Sequence, residues 1–448
     1  MSSLVEKRSP WLRRLDVLGM PMLAILLAFI GGALIILITS GSLTTVFTAY
    51  WGMINGAFFK TRGFSETLVA MTPYIWLSLG LAVGFKAGLF NIGVEGQFYI
   101  GAISAAWAGI YFNGLPAIIL LPLVILAGAV GGAIWAGIPA ILKTRTGAHE
   151  VITTMMMNYV AFRLVEYLVS GPLRDTKSSA VQTLRVSPNA ELWSLWQIPE
   201  RLSDPLNALG VALFFAFLAW SLAEWISVRP DLAKRFSTQL QNRMATIGFG
   251  LIVGVITFFV LPPLVQVFWP LNDQYDRAHI GIFLAIVAAV AVWRLLWKTT
   301  LGFEMRTVGA NPDAAKYAGI NTARNIIITM LISGALAGVA GTIEVLGVSI
   351  CRCLPLFFSS GYGFDSIAIA LLAKNNPIGI VFGAFLFGAM RNGADLMELN
   401  SGVSKYVISL IQGLVLLFVA APSMVRYLLR MKAASKVESE QLTRGWGG

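Results

Sequence analysis

Asn91, Glu95 and Gln97 stand among the glycines of Gly88-Leu-Phe-Asn-Ile-Gly-Val-Glu-Gly-Gln97, between two long apolar runs. Amides and a carboxylate at this spacing can hydrogen-bond a polar solute on a transport path, or they can knit neighbouring helices together. Both readings are open on the residues alone. A carboxylate at bilayer depth costs roughly 2.5–3.5 kcal/mol on insertion scales, so a polar task is the usual reason for keeping one. The glycines each weaken a helix by about 1 kcal/mol relative to Ala. What they supply is close helix approach, or a local break where backbone lines a cavity. If the helix is continuous, Asn91 and Glu95 at i and i+4 share one face.

Other polar residues in apolar surroundings extend this set. Asn158 follows the Met155–Met157 run and could contribute from a facing helix, while the methionines read as adaptable packing. Glu344 lies near the outer end of its span, and Asp365 opens a run that follows Pro355, Gly361 and Gly363. Lys86 and Lys374 accompany Glu95 and Asp365 in sequence. Arg163 and Glu166 read as an internal ion pair. His149 and His279 read as satisfied histidines at span ends, and Cys351-Arg-Cys353 as incidental. No metal-ligand spacing, HExxH, nucleophile elbow or phosphate-cradling G-x-x-x-x-G-K-[ST] loop is present, so the chain is not expected to be an enzyme or to hydrolyse ATP.

Composition dictates the scaffold. Hydrophobic residues make up 57% of 448 positions and charged residues 12%, with a mean hydropathy of +0.74. A soluble domain could not cover that much apolar surface with so little charge. Apolar runs near 18–39, 66–85, 92–112, 116–142, 150–169, 206–227, 245–268, 280–297, 326–348, 362–374, 377–392 and 404–421 predict an all-α polytopic membrane protein. About 10–12 transmembrane helices are expected, with short broken or re-entrant segments. The run at 362–374 is too short to cross alone. Small residues at four-residue spacing, Gly128/Gly132, Gly334/Gly338 and Gly379/Gly383, suit close helix packing in lipid.

The +11 charge follows from topology rather than from a nucleic-acid partner, since Lys and Arg stay on the cytoplasmic side. With the basic N-terminus (1–17) inside, Lys143, Arg145, the Arg229–Arg243 connector, Arg306, Lys316, Arg324 and the tail (426–448) also fall inside. Both termini are therefore expected to be cytoplasmic. The stretch 170–205 becomes an extracytoplasmic loop, within a single transmembrane domain spanning 1–448. The first apolar run continues to about Thr39, too long for a signal-peptide core, and reads as a span that stays.

Between two spans lies the inside loop 299–325. Its Asn311-Pro-Asp-Ala-Ala-Lys-Tyr-Ala-Gly319 carries an N-cap in Asn311, a first-turn Pro312, and Asp313 at the positive helix end. Gly319 suits the left-handed stop. The pattern predicts a two-turn helix about 12 Å long.

The segments GLFNIGVEGQFYIGA (88–102), EVITTMMMNY (150–159), TTLGFEMRTVGANPDAAKYAGI (299–320), GTIEVLG (341–347) and GYGFDSIAIALLAKNNPIG (361–379) resemble the inner-membrane permeases of sugar- and nucleoside-type ABC importers. The likeness runs in order over nearly the whole chain, and Asn-Ile-Gly-x-Glu-Gly-Gln is closer to the nucleoside type than to ribose or branched-chain amino-acid permeases. The resemblance implies a multi-pass subunit in the bacterial cytoplasmic membrane that imports nucleosides or related simple sugars. It implies a separate ABC ATPase using ATP and Mg, a second homologous permease and an extracytoplasmic solute-binding protein. Membrane lipid and a small-molecule substrate complete the partners, and the chain itself would hold no cofactor. It further implies that Asn311, Pro312, Asp313, Ala314, Lys316, Tyr317 and Gly319 form the helix that couples to the ATPase. Asn91, Glu95, Gln97, Asn158, Glu344 and Asp365 would line the solute path. Residues 206–268 depart from the pattern as an added helical hairpin. The rival readings are an ion-coupled secondary transporter, in which Glu95 or Asp365 would titrate, an ABC permease for another small solute such as branched-chain amino acids, and a membrane-embedded enzyme.

Overall fold

The computed structural model describes residues 10–227, 243–268 and 273–420; the first basic residues Lys7 and Arg8, the Arg229–Arg235 stretch and the tail from Arg426 lie outside them. Among the described residues the chain is helical with no strand, and six helices are long and apolar enough to cross a membrane, or seven if one bent pair is counted as a span.

The helices are α1 (Pro10–Ser40), α2 (Leu43–Ile54), α3 (Gly63–Lys86), α4 (Val94–Tyr111), α5 (Ala117–Thr146), α6 (Glu150–Ser170), α7 (Ile198–Leu202) and α8 (Pro205–Ser227). The second half contributes α9 (Arg243–Phe268), α10 (Gly281–Lys298), α11 (Thr300–Ala310), α12 (Pro312–Tyr317), α13 (Thr322–Ile343), α14 (Tyr362–Leu372), α15 (Pro377–Ser401) and α16 (Tyr406–Ala420). One-turn π segments extend α2 over Asn55–Phe59 and α13 over Glu344–Val348.

Three boundaries differ from the sequence expectation. Helix α2 falls in a stretch where no apolar run was expected; Ser42 caps it by accepting the Thr45 N–H, and its interleaved Thr, Tyr and Trp mask its hydropathy. Helix α15 continues past the apolar run, through Leu396, Met397 and Glu398, until Gly402 (φ 69°) stops it. Helix α4 begins only at Val94, so Asn91 and Glu95 do not share a helix face: Gly88 (φ 72°) breaks the chain after α3, and Asn91 lies in the break.

Helices α3, α4 and α13 form the buried centre, with one face of α5 and of α15 packed against it. In lipid there is little hydrophobic drive between helices, so close approach decides the packing. A Cβ on Gly338 would overlap the Gly128 carbonyl, one on Gly334 would overlap Gly132, and one on Gly101 would overlap Gly338. The three helices α4, α5 and α13 therefore meet backbone to backbone. The hairpin α8–α9 packs mainly on itself, Gly250 and Gly254 resting on Trp220 and Ala216, and touches the rest where Gly210 meets Ile118 of α5. It leaves Phe217, Leu251, Ile252 and Phe259 exposed, as a lipid-facing surface requires.

One end of the bundle carries α11 and α12. The opposite end is strapped by the segment between α6 and α7: Thr183 and Val186 donate backbone N–H bonds to Leu354 and Arg352, and Leu192 to Leu346. The strap pins the loop 349–358 over the end of α13.

Candidate functional site

The break between α3 and α4 is held from three sides. Asn91 Nδ2 donates to Gln97 Oε1 at 2.9 Å and to Ser333 Oγ of α13 at 3.0 Å, while Gln97 Nε2 donates back to Asn91 Oδ1 at 3.0 Å. Asn158 of α6 accepts the Gly96 N–H at 2.8 Å and donates to the Ile92 carbonyl at 3.0 Å. All three amides are buried; Asn91 Oδ1 and Asn158 pair backbone groups of the break, the Gly93 and Gly96 N–H and the Ile92 carbonyl, while the remaining bonds join Asn91 to Gln97 and Ser333. Gly93 and Gly96 leave room for this: added Cβ atoms would lie 2.9 Å from Thr154 Cβ and 2.8 Å from Asn158 Oδ1.

Glu95 sits one residue into α4 and is turned the other way. Ser359 Oγ donates to its Oε1 at 2.5 Å, and the Gly363 N–H donates to Oε2. Gly363 lies in the first turn of α14, whose free N–H groups and positive dipole end favour a carboxylate. The carboxylate therefore bridges the two interrupted helices of the chain. A side chain at 363 would strike Glu95 Cα at 2.8 Å, so this approach requires glycine.

Asp365 lies on the same first turn of α14 and meets a group absent from the sequence-derived set. The Tyr74 hydroxyl, halfway along α3, donates to its Oδ2 at 2.8 Å. Arg391 of α15 donates to Tyr74 Oη at 3.1 Å and to Ser360 Oγ, and comes within 3.9 Å of Asp365 Oδ2. Its guanidinium lies 3.8 Å from the Tyr362 ring centroid, a stacking that suits arginine better than lysine. The cation beside Asp365 is thus Arg391, not a lysine adjacent in sequence. A lone Arg in the run 377–392 was the available signal for it, since an arginine at bilayer depth marks a partnered site.

Glu344 begins the π segment at the end of α13. It is 7% exposed, and its Oε2 has no hydrogen-bond partner. An aromatic wall stands nearby: Phe358 packs 5.2 Å from Phe98 and 4.5 Å from Tyr99, centroid to centroid.

Two minor expectations are corrected. Cys351 and Cys353 are bonded to each other rather than incidental; Arg352 between them adopts φ 51° and donates to the Leu346 and Gly347 carbonyls, folding the loop tightly enough to bring the sulfurs together. His279 is buried but not satisfied, because Nδ1 accepts the Gly281 N–H at 3.1 Å while Nε2 faces Gly347 unpartnered. Arg163 and Glu166 do pair, at 2.6 Å, and His149 stands 70% exposed.

At the α12 end, Asn311 accepts the N–H groups of Asp313 and Ala314, Pro312 occupies the first helical turn, and Gly319 takes φ 80°. Ala315 is buried, Ala314 and Lys316 face outward, and Tyr317 is 97% exposed. The preceding helix α11 presses on the break, for a Cβ at Gly309 would overlap the Lys86 carbonyl and lie 2.7 Å from Gly88 N.

The sequence that folds into this bundle matches a permease family. The model of branched-chain amino acid transport system permease components matches residues 63–226 and 189–420. The chain belongs to this family. It is similar to a guanosine ABC transporter permease of Bacillus subtilis, 35% identical over 417 residues that cover 93% of this chain and 97% of the relative. A nucleoside ABC transporter permease of Lactococcus lactis is 29% identical over 95% of this chain and 96% of its own length. A glucose ABC transporter permease of Haloferax volcanii is 30% identical over 89% and 86%. No solved structure matches. With its long apolar helices, this permease component is a multi-pass protein of the plasma membrane. Its two matched stretches overlap at 189–226, which includes most of α8.

Proposed function

We propose that this chain forms the translocation pathway of an ATP-driven importer for nucleosides or related simple sugars. A separate ABC ATPase would hydrolyse ATP with Mg, beside a second homologous permease and an extracytoplasmic solute-binding protein. The relatives named for guanosine and nucleosides support the solute class. The α12 end is taken as cytoplasmic, in keeping with Lys143, Arg145, Arg306, Lys316 and Arg324 lying toward it.

One contact carries the mechanism: Gly309 at the end of α11 sits directly on the Lys86–Gly88 break. Interfaces packed this closely reposition as units rather than deform. A motor docked on α12 through Ala314, Lys316 and Tyr317 would move α11, and α11 would move the base of α4. Glu95 rides on the first turn of α4 and ties it to α14, so the same motion would alter the Glu95, Asp365 and Arg391 contacts at mid-height. The motor can shift this equilibrium only by its differential affinity for the two states. We assign Glu95, Asp365 and Glu344 to the solute path, and Asn91, Gln97 and Asn158 to holding the break that shapes it.

The test is uptake of radiolabelled guanosine, uridine, ribose and leucine by cells or proteoliposomes carrying the full complex. Nucleoside accumulation that stops with a hydrolysis-dead ATPase and resists an uncoupler supports the reading. Accumulation that collapses with the uncoupler while ATP stays high sinks it in favour of ion coupling.

A further inference from the structure

A cavity of about 400 Å³ opens beside the π segment Glu344–Val348, walled by Ile350, Leu354, Pro355, Phe358 and the Cys351–Cys353 disulfide. Its size falls in the range of small-molecule sites, which pair apolar walls with few placed polar groups. Glu344 lines it and is more than nine-tenths buried; its Oε2, shielded from the open space in this conformation, has no hydrogen-bond partner. Such a group is costly unless something completes it. Nearby polar atoms do not: Ser349 Oγ donates to the Cys353 carbonyl at 3.0 Å, and Arg352 is committed to the Leu346 and Gly347 carbonyls.

We propose that this cavity is a nucleobase subsite in which Glu344 accepts the paired N–H donors of a guanine edge while the base lies against Phe358. The proposal rests on the nucleoside reading above and deepens it by naming a specificity-determining residue. Its chemistry favours a base over a sugar. A base has two apolar faces to lie against the walls and a donor-bearing edge for the one carboxylate, whereas a sugar ring presents hydroxyls in several directions and would need several polar partners. Guanine offers N1–H and the N2 amine side by side, which two carboxylate oxygens can accept together once rotation of the Glu344 carboxylate turns the shielded Oε2 to the cavity. Hypoxanthine keeps only N1–H. Adenine presents an acceptor at N1, which would face the carboxylate lone pairs.

The experiment uses the purified permease–ATPase complex without its solute-binding protein, so that only the pathway selects. The probe is 8-azidoguanosine, photocoupled and mapped by peptide mass spectrometry. Labelling is expected within 344–358, competed by guanosine better than by inosine and by inosine better than by adenosine. In Glu344→Gln the guanosine preference should fall about tenfold or more, as loss of one charged acceptor for the paired N–H donors implies. If that variant fails to assemble, Phe358→Leu keeps the carboxylate and should lower labelling several-fold while preserving the purine order. Labelling elsewhere, an unchanged order in Glu344→Gln, or undiminished labelling in Phe358→Leu overturns the subsite. Nucleoside transport by a complex that labels elsewhere leaves the transport reading standing, whereas a complex that transports no nucleoside removes both.

Discussion

Glu95 accepts the backbone N–H of Gly363, which lies 268 positions further along the chain. With Ser359 on its other oxygen, the carboxylate closes the exposed N-terminal turn of α14 from the first turn of α4. Replacing it by Gln keeps one acceptor but turns an amine toward a donor. Glu95→Gln should therefore lower uptake at least tenfold, given the ~1–3 kcal/mol attached to a mispaired buried group. Initial-rate uptake with matched membrane levels measures this, and wild-type kinetics would leave Glu95 a packing residue.

Arg391 serves Tyr74, Ser360, Asp365 and the Tyr362 ring at once. Breaking a fully buried pair costs about 3–5 kcal/mol, and less is expected here because Arg391 and Asp365 remain 27% and 23% exposed. Arg391→Met should depress thermal stability in detergent, and Arg391→Met with Asp365→Asn should recover much of it. Arg391→Lys should recover less, since an ammonium cannot serve these partners in the same geometry. A double variant no better than the single would show that the charge pair is not the source.

A side chain on Gly338 would overlap the Gly128 carbonyl and crowd Gly132, both on α5. Gly338→Leu should part α5 from α13 and abolish stable assembly, exceeding the ~1–3 kcal/mol usual for overpacking because backbone is the obstacle. Gly147→Ala, with open space around it but φ 71°, should cost only about 1 kcal/mol. Melting curves of the two purified variants compare them directly.

The α12 helix offers a separation of folding from coupling. Ala314→Glu with Tyr317→Asp changes two exposed side chains and leaves buried Ala315 and the Asn311 cap in place. The pair should keep membrane insertion and lose co-purification of the ATPase or solute-stimulated hydrolysis. A full complement of ATPase with normal uptake would remove the lever role.

Arg62 holds the Asp273 carboxyl below its usual value of 3.8 by direct hydrogen bonding, outside the membrane-spanning helices. A depressed carboxyl stabilises the fold above its unfolded value, and that contribution is lost as pH falls through the lower folded one. The tether should thus stay intact at neutral pH and weaken only below 3.8. Hydrogen exchange in the Asp273–Arg277 turn should rise in that window, and Asp273→Asn should show the faster exchange at every pH.

The sequence by itself determined the solvent and the punctuation of this chain. Apolar runs of about 20 residues have no stable place but lipid, and local cap chemistry set α12 through Asn311, Pro312 and Gly319. Pairs such as Gly334 and Gly338 also announced a close helix contact. Tertiary structure alone decided which helices meet there, and where each polar side chain points. Nothing local distinguishes Asn91, whose amide ties the break to Gln97 and to Ser333 of α13, from Glu95, whose carboxylate crosses to α14. Nor does sequence spacing bring Arg391 to Asp365 or leave Glu344 unpaired at a cavity. Those outcomes depend on contacts between helices far apart in the chain, where the cost of burying a charge or amide is settled by the partner the fold delivers.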